Sequence, residues 1–342
     1  MRKLVSVMKP RIMLLVCVML WTALAGCDSG GLLDLAFSPP DRKPIDRSKV
    51  AVNNFFVNPE FGSISDQFSD IRNTLKINRV RILFAWTDGV QSSPDAPLNY
   101  SFYDSIISQI PSGVAVDIVL AHTPSWMTNS ANWTRDGNPR LTFVDRWVRP
   151  TVQRYANVGS VEAWEVWNEP DAVTVPSDAA LGLTDPANYA EMLAYASNVI
   201  RDNDRSALIV MAASQSIQQN FPTNLNYNKS LRDLGVENFV DVWNVHYYGT
   251  RFESVVTENG VADFLNSIGK TIWVTESGEQ GPNDQLAYVE TAWPFLTEKI
   301  PGIQRFYYYQ YSGTEPAELN YGLRTTDPAL PVSDLYVYLR DH

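Results

Sequence analysis

Eight short β-favouring runs, separated by amphipathic helical patterns, are the feature that most restricts how this chain can fold. The runs are rich in valine, isoleucine and aromatic residues and cover residues 50–56, 79–86, 114–121, 161–168, 207–213, 240–246, 271–276 and 304–311. Helical patterns between and after them include residues 65–75, 143–155, 188–202, 285–299 and 332–340. Strands that alternate with helices predict parallel βαβ units. Eight such strands predict a closed (β/α)8 barrel, an α/β fold in a single domain.

An open, doubly wound parallel sheet is the alternative architecture. That fold carries a glycine-rich phosphate-binding loop after its first strand, whereas FVNP follows at residues 56–59. The barrel is therefore favoured. Pro150 is expected to kink the helix over residues 143–155, because proline lacks an amide hydrogen and crowds the preceding turn.

The first 48 residues are expected to lie outside the barrel. Residues 1–11 carry four basic and no acidic side chains, and residues 12–25 form an apolar stretch that is short for a bilayer span. Both features are typical of a signal peptide. The tetrapeptide LAGC, residues 24–27, resembles a bacterial lipobox, which implies cleavage before Cys27 and acylation of its thiol. An ordinary signal peptide with an incidental cysteine is the alternative.

Three segments are therefore predicted. Residues 1–26 are the signal peptide, residues 27–48 are the lipidated cysteine and a flexible tether rich in glycine, proline and charge, and residues 49–342 are the barrel. The protein is expected to be exported and held by lipid at a bacterial membrane, facing the periplasm or the cell surface. Cys17, the other cysteine, lies in the signal peptide, so no disulfide or thiolate metal site is expected in the mature chain.

Polar residues at the carboxyl ends of the predicted strands are the functional candidates, because barrel active sites lie there. Glu169 follows strand four and Glu276 ends strand seven, and these strands lie nearly opposite each other in an eight-stranded barrel. Cleavage of a glycosidic bond needs such a pair, with one carboxyl protonated to serve the leaving oxygen and one ionised to face the oxocarbenium-like centre. Further candidates are Arg81, inside strand two, and, at these ends, His122, Trp126, Asn168, His246, Tyr248, Tyr309 and Tyr311.

Two motifs, WNEP at residues 167–170 and WVTESG at residues 273–278, make the chain resemble a clan A retaining glycoside hydrolase. The resemblance covers nearly all of residues 49–340. It implies that Glu169 is the acid/base and that Glu276 is the nucleophile. Family 39, with its bacterial exopolysaccharide hydrolases, is the first choice within the clan, and families 128 and 5 are near alternatives.

The same resemblance implies roles for supporting residues. Asn168 would bind the substrate 2-hydroxyl, and Arg81 would contact the nucleophile. His246 and Tyr248 match the clan's H-x-Y pattern, in which the tyrosine donates a hydrogen bond to the nucleophile. Clan members often place a tryptophan under the central sugar at the end of strand eight. This chain has tyrosines there, which leaves the identity of the sugar open.

Some candidates have a structural alternative. Arg81 could instead pair with Glu165, which is expected to be a buried structural carboxylate inside the barrel. His122 could be a hydrogen-bonded core residue, and Trp126 could pack in the core or in a lid instead of stacking on a sugar.

The sequence thus predicts a retaining β-glycoside hydrolase that cleaves a polysaccharide as a monomer, with internal cleavage of a bacterial exopolysaccharide as the expected reaction. No cofactor and no metal are expected, because neither H-E-x-x-H nor an Asp-rich calcium loop occurs. A net charge of −11 without a basic run beyond the N-terminus argues against a nucleic-acid partner. A weakly active polysaccharide-binding lipoprotein and a transglycosylase on the same barrel remain alternatives.

Overall fold

The computed structural model describes residues 38–342, so the predicted signal peptide and Cys27 lie outside the described residues. Part of the predicted tether is already packed. The backbone N–H of Lys43 donates a 2.9 Å hydrogen bond to the carbonyl of Glu290, and Ile45 is buried. The folded part therefore begins a few residues before the predicted boundary at residue 49. No helix among residues 38–342 has both the length and the apolar character that a bilayer span requires.

Eight parallel strands close into a barrel in sequential order, which confirms the predicted (β/α)8 fold. The strands are β1 (Val50–Asn53), β2 (Arg79–Ala85), β3 (Ala115–Ala121), β4 (Val161–Val166), β5 (Leu208–Met211), β6 (Val242–His246), β7 (Thr271–Ser277) and β8 (Ile303–Tyr308). Because a helical connection returns the chain after each strand, every neighbouring pair of strands is parallel, and the connecting helices lie outside the barrel.

Helices surround the barrel. They are α1 (Ile64–Ser69), α2 (Ser101–Ile107), α3 (Pro139–Phe143), α4 (Arg149–Tyr155), α5 (Pro186–Asn203), α6 (Thr223–Asp233), α7 (Glu253–Val256), α8 (Val261–Asn266), α9 (Gln285–Lys299) and α10 (Asp334–Asp341). The predicted helix over 285–299 coincides with α9, and those over 188–202 and 332–340 match α5 and α10 to within two residues at each end. Amphipathic spacing therefore located the long helices well.

A wide π-helical turn over Val144–Val148 joins α3 to α4 immediately before Pro150. In this turn the amide of Arg149 bonds to the carbonyl of Val144, five residues back. Pro150 has no amide hydrogen and would crowd the carbonyl four residues before it, and the wider turn relieves both problems. The irregularity predicted at Pro150 is thus a π-helical turn in the structure.

Several strands end earlier than predicted. β1 ends at Asn53 instead of residue 56, β4 ends at Val166 instead of 168, and β8 ends at Tyr308 instead of 311. After β4 the backbone turns sharply, since Trp167 and Glu169 have positive φ angles of 79° and 44°. Such conformations are unfavourable for residues other than glycine and are concentrated at functional sites.

The segment after β8 forms a small accessory sheet. Its two parallel strands are β9 (Ser312–Gly313) and β10 (Arg324–Thr325). The peptide bond between Tyr309 and Gln310 is cis. This segment packs against the end of β1, where the amide of Tyr311 donates a hydrogen bond to the carbonyl of Asn53.

The barrel interior changes from apolar to polar along the strands. The apolar part, near the amino ends, contains Ala51, Ala163, Val210, Val242, Trp273 and Tyr307. Two residues farther along four of these strands, and therefore on the same face, stand Asn53, Glu165, Asn244 and Thr275. All four are fully buried, and so are Arg81 and Asp117 on the strands between them. The polar part supports the mouth of the barrel, at the carboxyl ends of the strands.

Candidate active site

Glu169 and Glu276 meet at the mouth of the barrel, on either side of His246. One donor atom from each of the three side chains lies within 4.8 Å of the others. Nδ1 of His246 is 3.0 Å from Oε1 of Glu169, and its Nε2 is 3.6 Å from Oε1 of Glu276. His246 is completely buried, whereas the side chains of Glu169 and Glu276 are 19% and 11% exposed. A ligand in the mouth can therefore reach both carboxylates but not the ring that links them.

Arg81 rises from β2 inside the barrel and holds the site together. Its Nε and Nη2 donate to the two oxygens of Glu165 at 2.8 and 2.9 Å, and Nη2 also donates to Oδ1 of Asn168 at 2.8 Å. Its Nη1 donates to Oδ1 of Asn53 at 2.9 Å and to Oε1 of Glu276 at 2.6 Å. These contacts use all five N–H donors of the guanidinium group. Arg81 therefore makes both contacts considered from the sequence, with Glu165 and with Glu276.

Glu276 is surrounded by groups that favour its ionised form. The hydroxyl of Tyr248 donates to Oε2 at 3.0 Å, opposite the Arg81 contact on Oε1. Burial alone would raise the pKa of Glu276, but His246, Arg81 and the hydrogen bond from Tyr248 outweigh it and lower the pKa below its usual value. Glu276 is thus a carboxylate at neutral pH.

His246 lies between the two carboxylates and has one ring nitrogen near each of them. Burial would lower the pKa of the imidazole, but the charge of Glu276 and the hydrogen bond and charge of Glu169 outweigh it and raise the pKa above its usual value. Because the ring contacts Glu169 through Nδ1, protonation of His246 also fixes the orientation of that carboxyl group.

Two candidates lie at the rim with their polar atoms already engaged. Nδ1 of His122 is 2.8 Å from Oδ2 of Asp178, and the half-buried ring lies 6.1 Å from the ring of Trp167. The indole N–H of Trp126 donates to the carbonyl of Gln91 at 2.9 Å. Both side chains are thus held rigidly, and their contact with a substrate remains a prediction.

The two strand-eight tyrosines have different positions. Tyr309 lies in an aromatic cluster, with ring centroids 6.2 Å from Tyr248 and 5.9 Å from Tyr321. Tyr311 is fully buried, and its hydroxyl donates to Oδ2 of Asp70 at 2.9 Å. The structure therefore does not bring Tyr311 to the site. An extended strand would have put both tyrosines on one face, but β8 ends at Tyr308, and the turn beyond it directs Tyr311 into the core.

Sequence reasoning missed Asn53 and Tyr321. Asn53 ends β1, accepts from Arg81 and donates to the carbonyl of Thr275 at 2.9 Å. Two adjacent asparagines, directly after the apolar start of the first predicted strand, were a usable signal, because polar residues at strand ends are the functional candidates in a barrel. Tyr321 had no such signal, since it reaches the cluster from the loop between β9 and β10.

Comparison with known families decides the classification of this site. The model of the family Cellulase (glycosyl hydrolase family 5) matches residues 43–309. The chain belongs to glycosyl hydrolase family 5. Family 39, the first choice from the motifs, is not confirmed, and family 5 was one of the near alternatives. No curated protein sequence matches the chain.

Solved structures share the barrel of this family 5 chain at low sequence identity. A family 39 glycoside hydrolase from Bacteroides cellulosilyticus WH2 aligns with a TM-score of 0.60 and 17% identity, over 87% of this chain and 64% of that one. A monomeric β-xylosidase from Caulobacter crescentus CB15 aligns with a TM-score of 0.60 and 18% identity, over 88% of this chain and 69% of that one. An endo-1,4-β-mannanase from Rhizomucor miehei aligns with a TM-score of 0.58 and 13% identity, over 90% of this chain and 99% of that one. The chain thus spans less than two thirds of the first of these proteins.

Glu169, His246 and Glu276 are also close enough to one another to share one metal ion. However, the guanidinium of Arg81 already contacts Glu276 at 2.6 Å. A divalent cation on that carboxylate would be repelled by the neighbouring arginine. We therefore interpret the cluster as a carboxylate pair linked by a histidine.

Asp117 is a second buried carboxyl group inside this family 5 barrel. It stands directly opposite Arg81 in the register of β2 and β3 and is 2% exposed. All donors of Arg81 point elsewhere, and among the described residues no group donates to either carboxyl oxygen of Asp117. Burial, followed by the charge of Glu165, raises the pKa of Asp117 well above its usual value. We therefore expect Asp117 to be a neutral carboxylic acid in the folded protein.

Asp117→Asn should remove part of the pH dependence of stability. Folded wild-type protein keeps the Asp117 proton, whereas the unfolded chain loses it above about pH 3.9. The folded state then binds more protons, so the wild-type free energy of unfolding falls as pH rises from about 4 towards the raised pKa. The asparagine variant has no such proton to lose. Its free energy of unfolding should therefore rise relative to that of wild type by up to about 1.4 kcal/mol for each pH unit.

Urea unfolding of both proteins between about pH 4 and pH 7 measures this difference. Asp233→Asn is the matched control, because the Asp233 side chain is 73% exposed, and its difference from wild type should stay flat. A pH-independent difference for Asp117→Asn would show that Asp117 is ionised in the folded protein.

Proposed function

We propose that this protein is a retaining β-glycoside hydrolase that cleaves a polysaccharide, with Glu276 as nucleophile and Glu169 as acid/base. One observation carries the proposal. A carboxylate oxygen of Glu169 and one of Glu276 lie within 4.8 Å of each other. Retaining enzymes hold their carboxyl groups about 5–5.5 Å apart, whereas inverting enzymes leave about 6.5–9.5 Å for a water molecule. The proximity of Glu169 and Glu276 supports retention.

The first step forms a covalent intermediate. An oxygen of Glu276 bonds to the anomeric carbon while the bond from that carbon to the leaving oxygen breaks, and Glu169 gives its proton to the leaving oxygen. Arg81 and Tyr248 keep Glu276 ionised and hold its carboxylate at the mouth of the barrel. Arg81 also holds Asn168, the residue before Glu169. Their hydrogen bonds orient the reacting groups before substrate arrives.

The second step releases the sugar. Glu169, now ionised, accepts a proton from a water molecule, whose oxygen bonds to the anomeric carbon as the bond to Glu276 breaks. His246 contacts both glutamates. Its raised pKa favours the protonated imidazole, whose charge would lie beside Glu169 and Glu276 alike.

The substrate class and the location belong to this proposal. The aligned structures include proteins named as a β-xylosidase and an endo-1,4-β-mannanase, which favours a β-linked polymer. The LAGC motif at residues 24–27 favours a protein that is exported and acylated at Cys27. A lipid-anchored hydrolase would meet polymer at the cell envelope, so we propose internal cleavage of an exopolysaccharide.

Anomer-resolved NMR of the first product tests retention. From a β-linked substrate the enzyme should release the β-anomer first, with the α-anomer appearing only through mutarotation. Initial release of the α-anomer would exclude the covalent mechanism. Chromatography of the same reaction, with a panel of β-linked polysaccharides, distinguishes internal cleavage from removal of terminal sugars. Binding without turnover on every polymer would favour the binding-protein alternative.

A further inference from the structure

The described part of the tether forms a strap, residues 38–49, that is fastened to the outer side of α9. Nε of Arg42 donates to Oε2 of Glu290 at 2.7 Å, and Nζ of Lys43 donates to Oε2 of Glu298 at 2.7 Å. The backbone amide of Lys43 also bonds to the carbonyl of Glu290. Three hydrogen bonds to one helix give the strap a defined path.

The strap runs from the mouth of the barrel to its opposite end. At its last residues, the guanidinium of Arg47 donates to the carbonyl of Leu339 at 2.8 Å, just before β1 begins. At its first residues, Pro39 borders one cavity with Tyr248 and Thr250 and another with Glu279. These residues follow β6 and β7 at the carboxyl ends of the strands. The strap therefore begins at the rim of the active site.

Only residues 28–37 separate Cys27 from the start of the strap. A fully extended backbone covers at most about 3.5 Å per residue, so Ser38 lies within about 40 Å of Cys27. To bring the opposite end of the barrel to the anchor, the chain would first have to return along α9. A helix of that length measures about 22 Å, which uses more than half of the maximum reach.

We propose that the barrel is held with its active-site mouth towards the lipid surface that anchors Cys27, so that the enzyme acts on glycan attached to or emerging from that surface. This inference rests on the proposed acylation and the proposed function. The linking residues also favour a short distance, because Leu32, Leu33, Leu35 and Phe37 are apolar side chains that suit the lipid–water interface. Large soluble polymers would then reach the site poorly.

Fluorescence energy transfer to acceptor-labelled lipids tests the orientation. The full chain is expressed with its signal peptide, and the acylated product is placed in phosphatidylethanolamine–phosphatidylglycerol vesicles. Single cysteines are introduced by Thr250→Cys, at the mouth, and by Ser112→Cys, at the opposite end before β3. Both positions are exposed and outside the proposed machinery. We expect higher transfer from position 250. Equal transfer, or higher transfer from position 112, would overturn the proposal.

Charge reversal tests the strap itself. The double variant Arg42→Glu with Lys43→Glu should repel Glu290 and Glu298 and reduce the difference in transfer between the two labels. Arg340→Glu is the matched control, since Arg340 is exposed and pairs with its neighbour Asp341, and it should leave the difference unchanged. A difference that persists unchanged in the double variant would show that the strap does not set the orientation.

Two further measurements distinguish a wrong orientation from missing acylation and from a failure of the proposed function. Mass spectrometry shows whether Cys27 carries lipid. If it does not, Cys27→Ser with a hexahistidine tag before residue 28 anchors the chain at the same place on nickel-chelating vesicles, and the transfer measurement is repeated. Hydrolysis of a small aryl β-glycoside by the same preparations reports the proposed function independently of the orientation.

Discussion

Glu276→Gln should lower kcat on the order of 10⁴-fold, which corresponds to about 5.5 kcal/mol of activation free energy. The amide keeps the volume of the side chain and an oxygen that can still accept from Arg81, while its NH2 group can donate to the hydroxyl oxygen of Tyr248. It cannot form the covalent bond to the anomeric carbon, so the reaction loses its nucleophile while the fold is kept. Steady-state kinetics on an aryl β-glycoside and thermal unfolding measure the two parts of this prediction.

Glu237→Gln provides the control for this substitution. Glu237 lies before β6, at the end of the barrel opposite the mouth, and accepts a hydrogen bond from the amide of Gly269. Its replacement should leave kcat unchanged. Near wild-type kcat in Glu276→Gln would exclude Glu276 as the nucleophile.

Azide assigns the two glutamates separately. In Glu276→Ala, azide can enter the vacated space and attack the anomeric carbon from that side, which should give the α-glycosyl azide from a β-linked substrate with a good leaving group. In Glu169→Ala, azide instead attacks the covalent intermediate from the other face and should give the β-glycosyl azide. The opposite pairing of variants and products would reverse the roles of Glu169 and Glu276.

Arg81→Lys should be the most damaging conservative change in the barrel interior. Lysine has three donors instead of five and cannot bridge two carboxylates in a planar fork. Glu165 is completely buried and would lose its bidentate partner, so we expect a loss of about 3 kcal/mol in the free energy of unfolding. Urea unfolding at neutral pH measures this loss.

The same variant should change the pH profile. Arg81 lowers the pKa of Glu276, so a weaker contact lets that pKa rise. Since kcat/KM depends on ionised Glu276 in the free enzyme, activity should begin to fall at a higher pH on the acid side. Arg305→Lys is the matched control, because Arg305 forms a bidentate pair with Glu162 near the amino ends of the strands. Arg305→Lys should lower the free energy of unfolding without shifting the acid side of the kcat/KM profile. The same pH profile in both variants would show that Arg81 has a packing role only.

The sequence by itself predicted the architecture and the pair of carboxylates at the mouth of the barrel. The periods of strands and helices are local properties of neighbouring residues, so eight alternating units could be counted without any tertiary information. Glu169 and Glu276 follow from that count, because the ends of strands four and seven must meet at the mouth of a closed barrel. The resemblance to clan A also predicted a hydrogen bond from Tyr248 to Glu276, which the structure contains.

Only the tertiary structure decided which side chains share a partner and where irregular segments lead. Arg81 joins Glu165, Asn168, Asn53 and Glu276 at once, because side chains from three other strands and their ends converge on its guanidinium group. No periodicity predicts the direction of a side chain beyond the end of a strand, and Tyr311 is therefore bonded to Asp70, 241 residues away. The path of the strap along α9 depends in the same way on ion pairs between distant residues, such as Lys43 and Glu298. Contacts of this kind are set by the closure of the barrel, which is a property of the whole chain.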